Sequence, residues 1–152
     1  MMTLSNPIGQ IQPVRGQIWW VNFNSPTTAS TPPFGTPKSQ LPTTGDEIYK
    51  PRPAVVMNIQ QSWNLELCIV VPITTWKSHF QTNNWFWLVH LPVDSTNQLS
   101  NDSAANTFQV KSVSIQRFER KVGFLLPQQM DLIAATIAFC IGYNPPNPIS
   151  SP

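Results

Sequence analysis

The chain has 152 residues, the length of one domain with a single sizeable core. Only 11% of its residues are charged, and nine Lys plus Arg against seven Asp plus Glu leave a net charge of +2. That balance excludes a strongly basic, non-specific nucleic-acid binder and an acidic tail protein, though not a local basic groove, and 41% hydrophobic residues exclude a disordered chain.

In chain order, Met1–Pro13 is polar and aperiodic and reads as a loose tail. Gln17–Asn24, with Ile18, Trp20 and Phe23 among polar neighbours, reads as a strand. Ser25–Thr44 holds Pro26, Pro32, Pro33, Pro37 and Pro42 and reads as one long loop, either a flap over a site at its end or a passive insertion. Pro53–Asn58 and Leu65–Thr74 carry the continuous apolar runs of buried strands. Trp85–Leu91 alternates Trp85, Trp87, Val89 and Leu91 on one expected face, and Asn106–Val113 alternates Phe108 and Val110. Lys121–Leu125 is a last short strand. Pro127 at the first helical position then opens a helix to about Ile141, with Met130, Ile133, Ala134, Ile137 and Ile141 as its stripe and Gly142 as its C′ residue. Asn144–Pro152, with four prolines, reads as an extended tail. The expected fold is mainly β with a C-terminal helix, a small and strongly bent antiparallel barrel spanning 14–143.

Cys68 and Cys140 both lie in apolar runs, and neither cysteines nor histidines have metal-ligand spacing, so no metal, cofactor or disulfide framework is expected. No signal-peptide pattern and no apolar run of about 18 residues occurs, so the expected location is cytoplasmic, away from membranes.

Three segments carry chemistry. In Gly45–Val56 a charged cluster runs into a buried strand, setting Arg52 at the strand mouth, where its rigid fork of donors suits a phosphate. Thr74 and Thr75 follow a second buried strand, with Lys77 beyond them. Gln109 and Lys111 fall on one face of a third strand. Singly, each has an ordinary use: Arg52 pairing with Asp46 or Glu47, Thr74 capping a strand end, Gln109 and Lys111 facing solvent. His79 and His90 lack a patterned partner, and the tryptophans read first as core.

The order of the segments changes that weighing. Arg15-Gly16-Gln17-Ile18-Trp19-Trp20-Val21-Asn22-Phe23, then Gly45-Asp46-Glu47, Arg52-Pro53-Ala54-Val55-Val56, Val71-Pro72-Ile73-Thr74-Thr75 and Gln109-Val110-Lys111-Ser112 resemble the MazF/PemK toxins of bacterial toxin–antitoxin pairs. The resemblance covers Arg15–Tyr143. It implies an SH3-like barrel shared with CcdB-type gyrase poisons, a homodimer, and metal-independent endoribonuclease cleavage of single-stranded RNA at short sequences. It implies a cognate antitoxin as partner, with DNA binding by the toxin–antitoxin complex. It also implies Arg52 and Thr74 as the catalytic pair with Glu47 beside them, and RNA contacts from Lys50, Thr75, Lys77, Gln109 and Lys111. Two departures stand out: the loop before Gly45 is longer than the family's, and Phe108 stands where some members carry Asp. RNA supplies its own nucleophile, the 2′-hydroxyl, so these residue types suffice without a histidine. The alternatives are a catalytically silent barrel that binds RNA or a partner, and a CcdB-like topoisomerase poison acting through its C-terminal helix.

Overall fold

The structure, a computed structural model, describes residues 11–24, 46–59 and 65–144. The expectations for the proline-rich loop and for most of both tails fall outside these residues. Seven strands are formed by the described residues: β1 (Gln17–Val21), β2 (Arg52–Val56), β3 (Leu67–Thr75), β4 (Leu88–Leu91), β5 (Ser103–Asn106), β6 (Lys111–Ser114) and β7 (Phe118–Phe124). Two helices join them, the short α1 (Ser78–Thr82) after β3 and α2 (Pro127–Cys140) at the end. No helix among the described residues is long and apolar enough to cross a membrane.

All ladders are antiparallel, and the sheet runs β4-β5-β3-β2-β1-β7. β3 is its spine. Val70 lies opposite both Val56 of β2 and Lys111 of β6, while Ile73–Thr75 pair with β5. The expected bend is present, but the sheet is open, because β4 and β7 at its two ends form no ladder. The loop after β4 spans them instead: Phe124 N donates to Thr96 O at 3.1 Å, and Gly123 packs against the Asn97 backbone.

Alternation along the strands sends side chains to two faces. One face carries Ile18, Val55, Val71, Ile73, Val89, Leu91 and Ala105, which pack on Met130 and Ile133 of α2. Leu91 and Ile133 are fully buried, each contributing about 1.5–3 kcal/mol of apolar burial. The other face carries two separate clusters. Val21, Phe23, Ala54, Val56, Cys68, Val70, Val113 and Phe118 form one, and Ile11 and Ile48 pack against it. Phe80 of α1 forms the second with Leu88 and Ala104, with Trp76, Trp85 and Trp87 against them.

Four expectations are corrected here. The first strand stops at Val21 because Asn22 and Asn24 turn their carbonyls to Arg117 Nη1, at 2.9 and 2.7 Å. The strand expected from Trp85 begins at Leu88. Its tryptophans sit in the turn after α1 and pack under that helix, on the face opposite Val89 and Leu91. The strand expected over Asn106–Val113 is broken at Thr107, whose backbone N and Oγ1 both donate to Trp87 O, at 3.0 and 2.7 Å. A hydroxyl that offers the backbone this alternative breaks a ladder, and Thr107–Gln109 form a 3-10 turn. Within the helix stripe, Met130 and Ile133 are buried, but Ile141 lies past the last turn at 75% exposure. Pro127 does open α2, and Gly142 follows it at φ 79°.

Candidate active site

Register brings the three chemical segments together. Val21 of β1 pairs with Arg52. The β2–β3 ladder runs Val56↔Val70, Val55↔Val71, Ala54↔Pro72; continued by two residues, it sets Arg52 opposite Thr74. Thr74 in turn pairs with Ala104, and Ala104 with His90. One transverse row therefore reads Val21, Arg52, Thr74, Ala104, His90. Paired residues share a face. The row lies on the face away from α2, in the seam between the Val21–Phe118 cluster and the cluster under α1. Lys111, opposite Val70, shares this face and holds its ammonium 5.5 Å from the Phe23 ring.

Arg52 is half-buried at the strand mouth. Its Nε donates a long bond to Lys50 O at 3.4 Å. Burial holds the guanidinium below the ordinary arginine range, with Tyr49 acting in the opposite sense. Thr74 is half-buried, and its hydroxyl makes no hydrogen bond to the described residues. Two positions along β5 from Ala104, Asn106 presents a buried Oδ1 without a partner among them.

Gln109 does not share a strand face with Lys111. It sits in the 3-10 turn and clamps the segment bearing Glu47: Oε1 accepts from Ile48 N at 2.8 Å, and Nε2 donates to Asp46 O at 2.9 Å. Ile48 then packs on the cluster below, and Glu47 stands exposed between these anchors. Gln109→Leu is expected to cost about 1–3 kcal/mol by removing both bonds. It is expected to slow any reaction that uses Glu47 more than one that uses Arg52 alone; thermal melts and cleavage rates on one preparation check this.

The other sequence-predicted residues are dispersed. Thr75 pairs with Ser103 and points to the opposite face from Thr74. Lys77 is exposed at the start of α1, and Lys50 is exposed with its ammonium 5.6 Å from the Tyr49 ring. Sequence reasoning passed over Asn106, Trp76 and His90. His90 stacks on Trp76, with ring centroids 4.2 Å apart and planes at 30°. Its Nε2 lies 3.9 Å from Asp102 Oδ2. No local signal marks these residues: strand register puts His90 in the row and Asn106 two positions along β5 from it, and Trp76 is brought in by its stack on His90.

The family model of PemK-like, MazF-like toxins of type II toxin–antitoxin systems matches residues 38–141. No curated protein matches the chain. Among solved structures, MazF from Deinococcus radiodurans is similar over 86% of this chain and 96% of that one, at a TM-score of 0.59 and 18% identity. A Mycobacterial endoribonuclease in complex with its cognate antitoxin is similar over 89% and 100%, at 0.55 and 15%. Mycobacterium tuberculosis toxin MazF-mt6 is similar over 64% and 93%, at 0.50 and 22%. These structural likenesses speak to the bent sheet and its terminal helix. The family match runs from before β2 through α2 and takes in Arg52, Thr74, Gln109 and Lys111, so the chain belongs to the PemK-like, MazF-like toxins of type II toxin–antitoxin systems.

Proposed function

We propose that the protein is a metal-independent endoribonuclease that cuts single-stranded RNA on the Arg52–Thr74 face. The observation that carries this reading is the row itself: a half-buried guanidinium, with one long hydrogen bond to the described residues, lies in register with a hydroxyl that has no partner among them. Glu47 takes the proton of the 2′-hydroxyl, whose oxygen attacks the adjacent phosphorus. Arg52 stabilises the charge that builds on the phosphoryl oxygens and gives a proton to the 5′-oxygen as the P–O5′ bond breaks, and solvent then carries the proton held by Glu47 back to Arg52. Desolvation, by lowering the guanidinium below the ordinary arginine range, makes it a stronger donor there. Thr74 orients the phosphate, and Lys111 with Lys50 and Lys77 supplies positive charge along the strand. The products are a 2′,3′-cyclic phosphate and a 5′-hydroxyl. The substrate is a polyanion and the chain carries only +2, so binding depends on these individual cations rather than on the net charge.

The protein works as a homodimer and is neutralised by an antitoxin. The Deinococcus radiodurans relative has been solved as a MazE–MazF complex and the Mycobacterial one with its cognate antitoxin, which supports that partner. Incubating purified protein with a long single-stranded RNA in EDTA tests the reaction through its cut sites and end groups. Cleavage that stops in EDTA, or products with 5′-phosphates, contradicts the mechanism; no cleavage at all favours the silent RNA-binding barrel. Thr74→Val separates orientation from structure with little change in volume. It is expected to lower the rate about 10–100-fold while leaving RNA affinity within about twofold, since positioning acts chiefly in the transition state. A melt on the same variant checks that the strand is intact.

A further inference from the structure

We infer that the stacked pair Trp76–His90 is a nucleobase subsite, holding the base of a nucleotide close to the one that is cut. The inference rests on the ribonuclease reading and extends it along the same row. His90, Ala104 and Thr74 are paired on successive strands, so His90 stands about 10 Å from Thr74 at two strand spacings. That is the separation of near-neighbour nucleotides on one strand. Ala104, between them on this row, is fully buried in the cluster beneath α1, against which Trp76 packs.

The pair has the form of a prebuilt platform. Trp76 is fixed from below by an edge-on contact with Phe80 at 5.5 Å, and its backbone N donates to Asp102 O at 2.9 Å. His90 lies flat on it, and the His90 side chain is 42% exposed, so one side of the stack stays open. The cluster under α1 does not require a ring there: Phe80, Leu88 and Ala104 are its buried members, and His90 is not among them. Single-stranded RNA is held by stacking its bases on such rings. Electrostatics decide which part of the nucleotide sits there. The Asp102 carboxylate, 3.9 Å from His90 Nε2, repels a phosphate but can accept from a base amino group. The phosphate belongs at Arg52 and Lys111, and the base at His90.

The test uses an oligoribonucleotide containing a sequence the wild-type protein cuts, made non-cleavable by one 2′-deoxy sugar at the cut and carrying an abasic site at each flanking position in turn. Binding to the wild type, His90→Ala, His90→Phe and Trp76→Leu is read by fluorescence anisotropy, and the all-ribose parent is assayed for cleavage in parallel. At one flanking position, removing the base is expected to weaken wild-type binding about tenfold but to weaken His90→Ala and Trp76→Leu binding less than about twofold. His90→Phe, which keeps a stacking face, restores the penalty. Equal abasic penalties in the wild type and His90→Ala at every position, with the parent still cut by the wild type, overturn the subsite and leave the ribonuclease reading standing. A wild type that neither cuts nor binds the parent overturns both.

Discussion

Arg52→Ala is expected to abolish RNA cleavage while the protein stays folded. The side chain sits at the mouth of β2 and makes one long hydrogen bond to the described residues, so the change in stability should stay within about 1 kcal/mol. Loss of its charge and donors at the phosphate should remove about 3 kcal/mol or more of transition-state stabilisation, a fall in rate of at least about a hundredfold, as when an oxyanion donor is deleted. Arg52→Lys keeps a charge without the planar fork and should recover only part of the loss. Single-turnover cleavage rates and a thermal melt on the same preparations read both effects. A folded alanine variant with full activity removes Arg52 from the chemistry and with it the reason for reading this face as a nuclease.

The largest expected effect on stability is at Gly123→Ala. A Cβ there would lie 2.4 Å from the carbonyl oxygen of Asn97 and 2.7 Å from that of Thr96. Both are backbone atoms of a turn that has little freedom to yield. Asp94 Oδ1 accepts from the N–H groups of Thr96 and Asn97 at 2.8 and 2.7 Å, and the buried Asn97 side chain bonds back to Pro92 O at 2.8 Å. Separating β7 from this loop should cost about 3 kcal/mol or more and lower the melting temperature by roughly 6–12 °C. Gly142→Ala is the contrast. Its added methyl meets nothing within 4 Å, and only the positive φ of 79° opposes it, at about 1–2 kcal/mol. A Gly123→Ala melt no lower than that of Gly142→Ala means that the loop and β7 are not held together as described.

The elements legible in the sequence are those whose burial is written locally. Ala54–Val56 and Val70–Ile73 are buried without interruption because β2 and β3 lie in the middle of the sheet, whereas Ile69 of the same apolar run is exposed. Pro127 and Gly142 punctuate α2 through backbone geometry alone. Trp85 and Trp87 misled because their period of two continues into β4, although they serve a different cluster under α1. Thr107 misled because its hydroxyl bond to the Trp87 carbonyl depends on a turn 20 residues earlier in the sequence. The candidate site divides the same way. Arg52 and Thr74 stand out by residue type at strand ends, whereas His90 and Asn106 acquire their place only from ladders that no local pattern displays. Gly123 carried a weak signal, a glycine within a strand, but the partner that requires it lies in another loop.

The position of β1 in the sheet has a consequence for how the protein is made. β1 is synthesised first among the described strands, yet its second ladder is with β7, where Gln17 meets Phe124. A nascent chain therefore carries β1 with one edge unsatisfied until nearly the whole domain has left the ribosome. Contacts of such long sequence separation place folding in the slow range of β-rich domains, about milliseconds to seconds. During that interval the exposed backbone edge of β1 is open to pairing with other chains. The last ladder to close is the one that gives β1 its second neighbour, so a chain truncated before Phe118 has Arg52 and Thr74 in its sequence but lacks the strand that ends the sheet beyond β1.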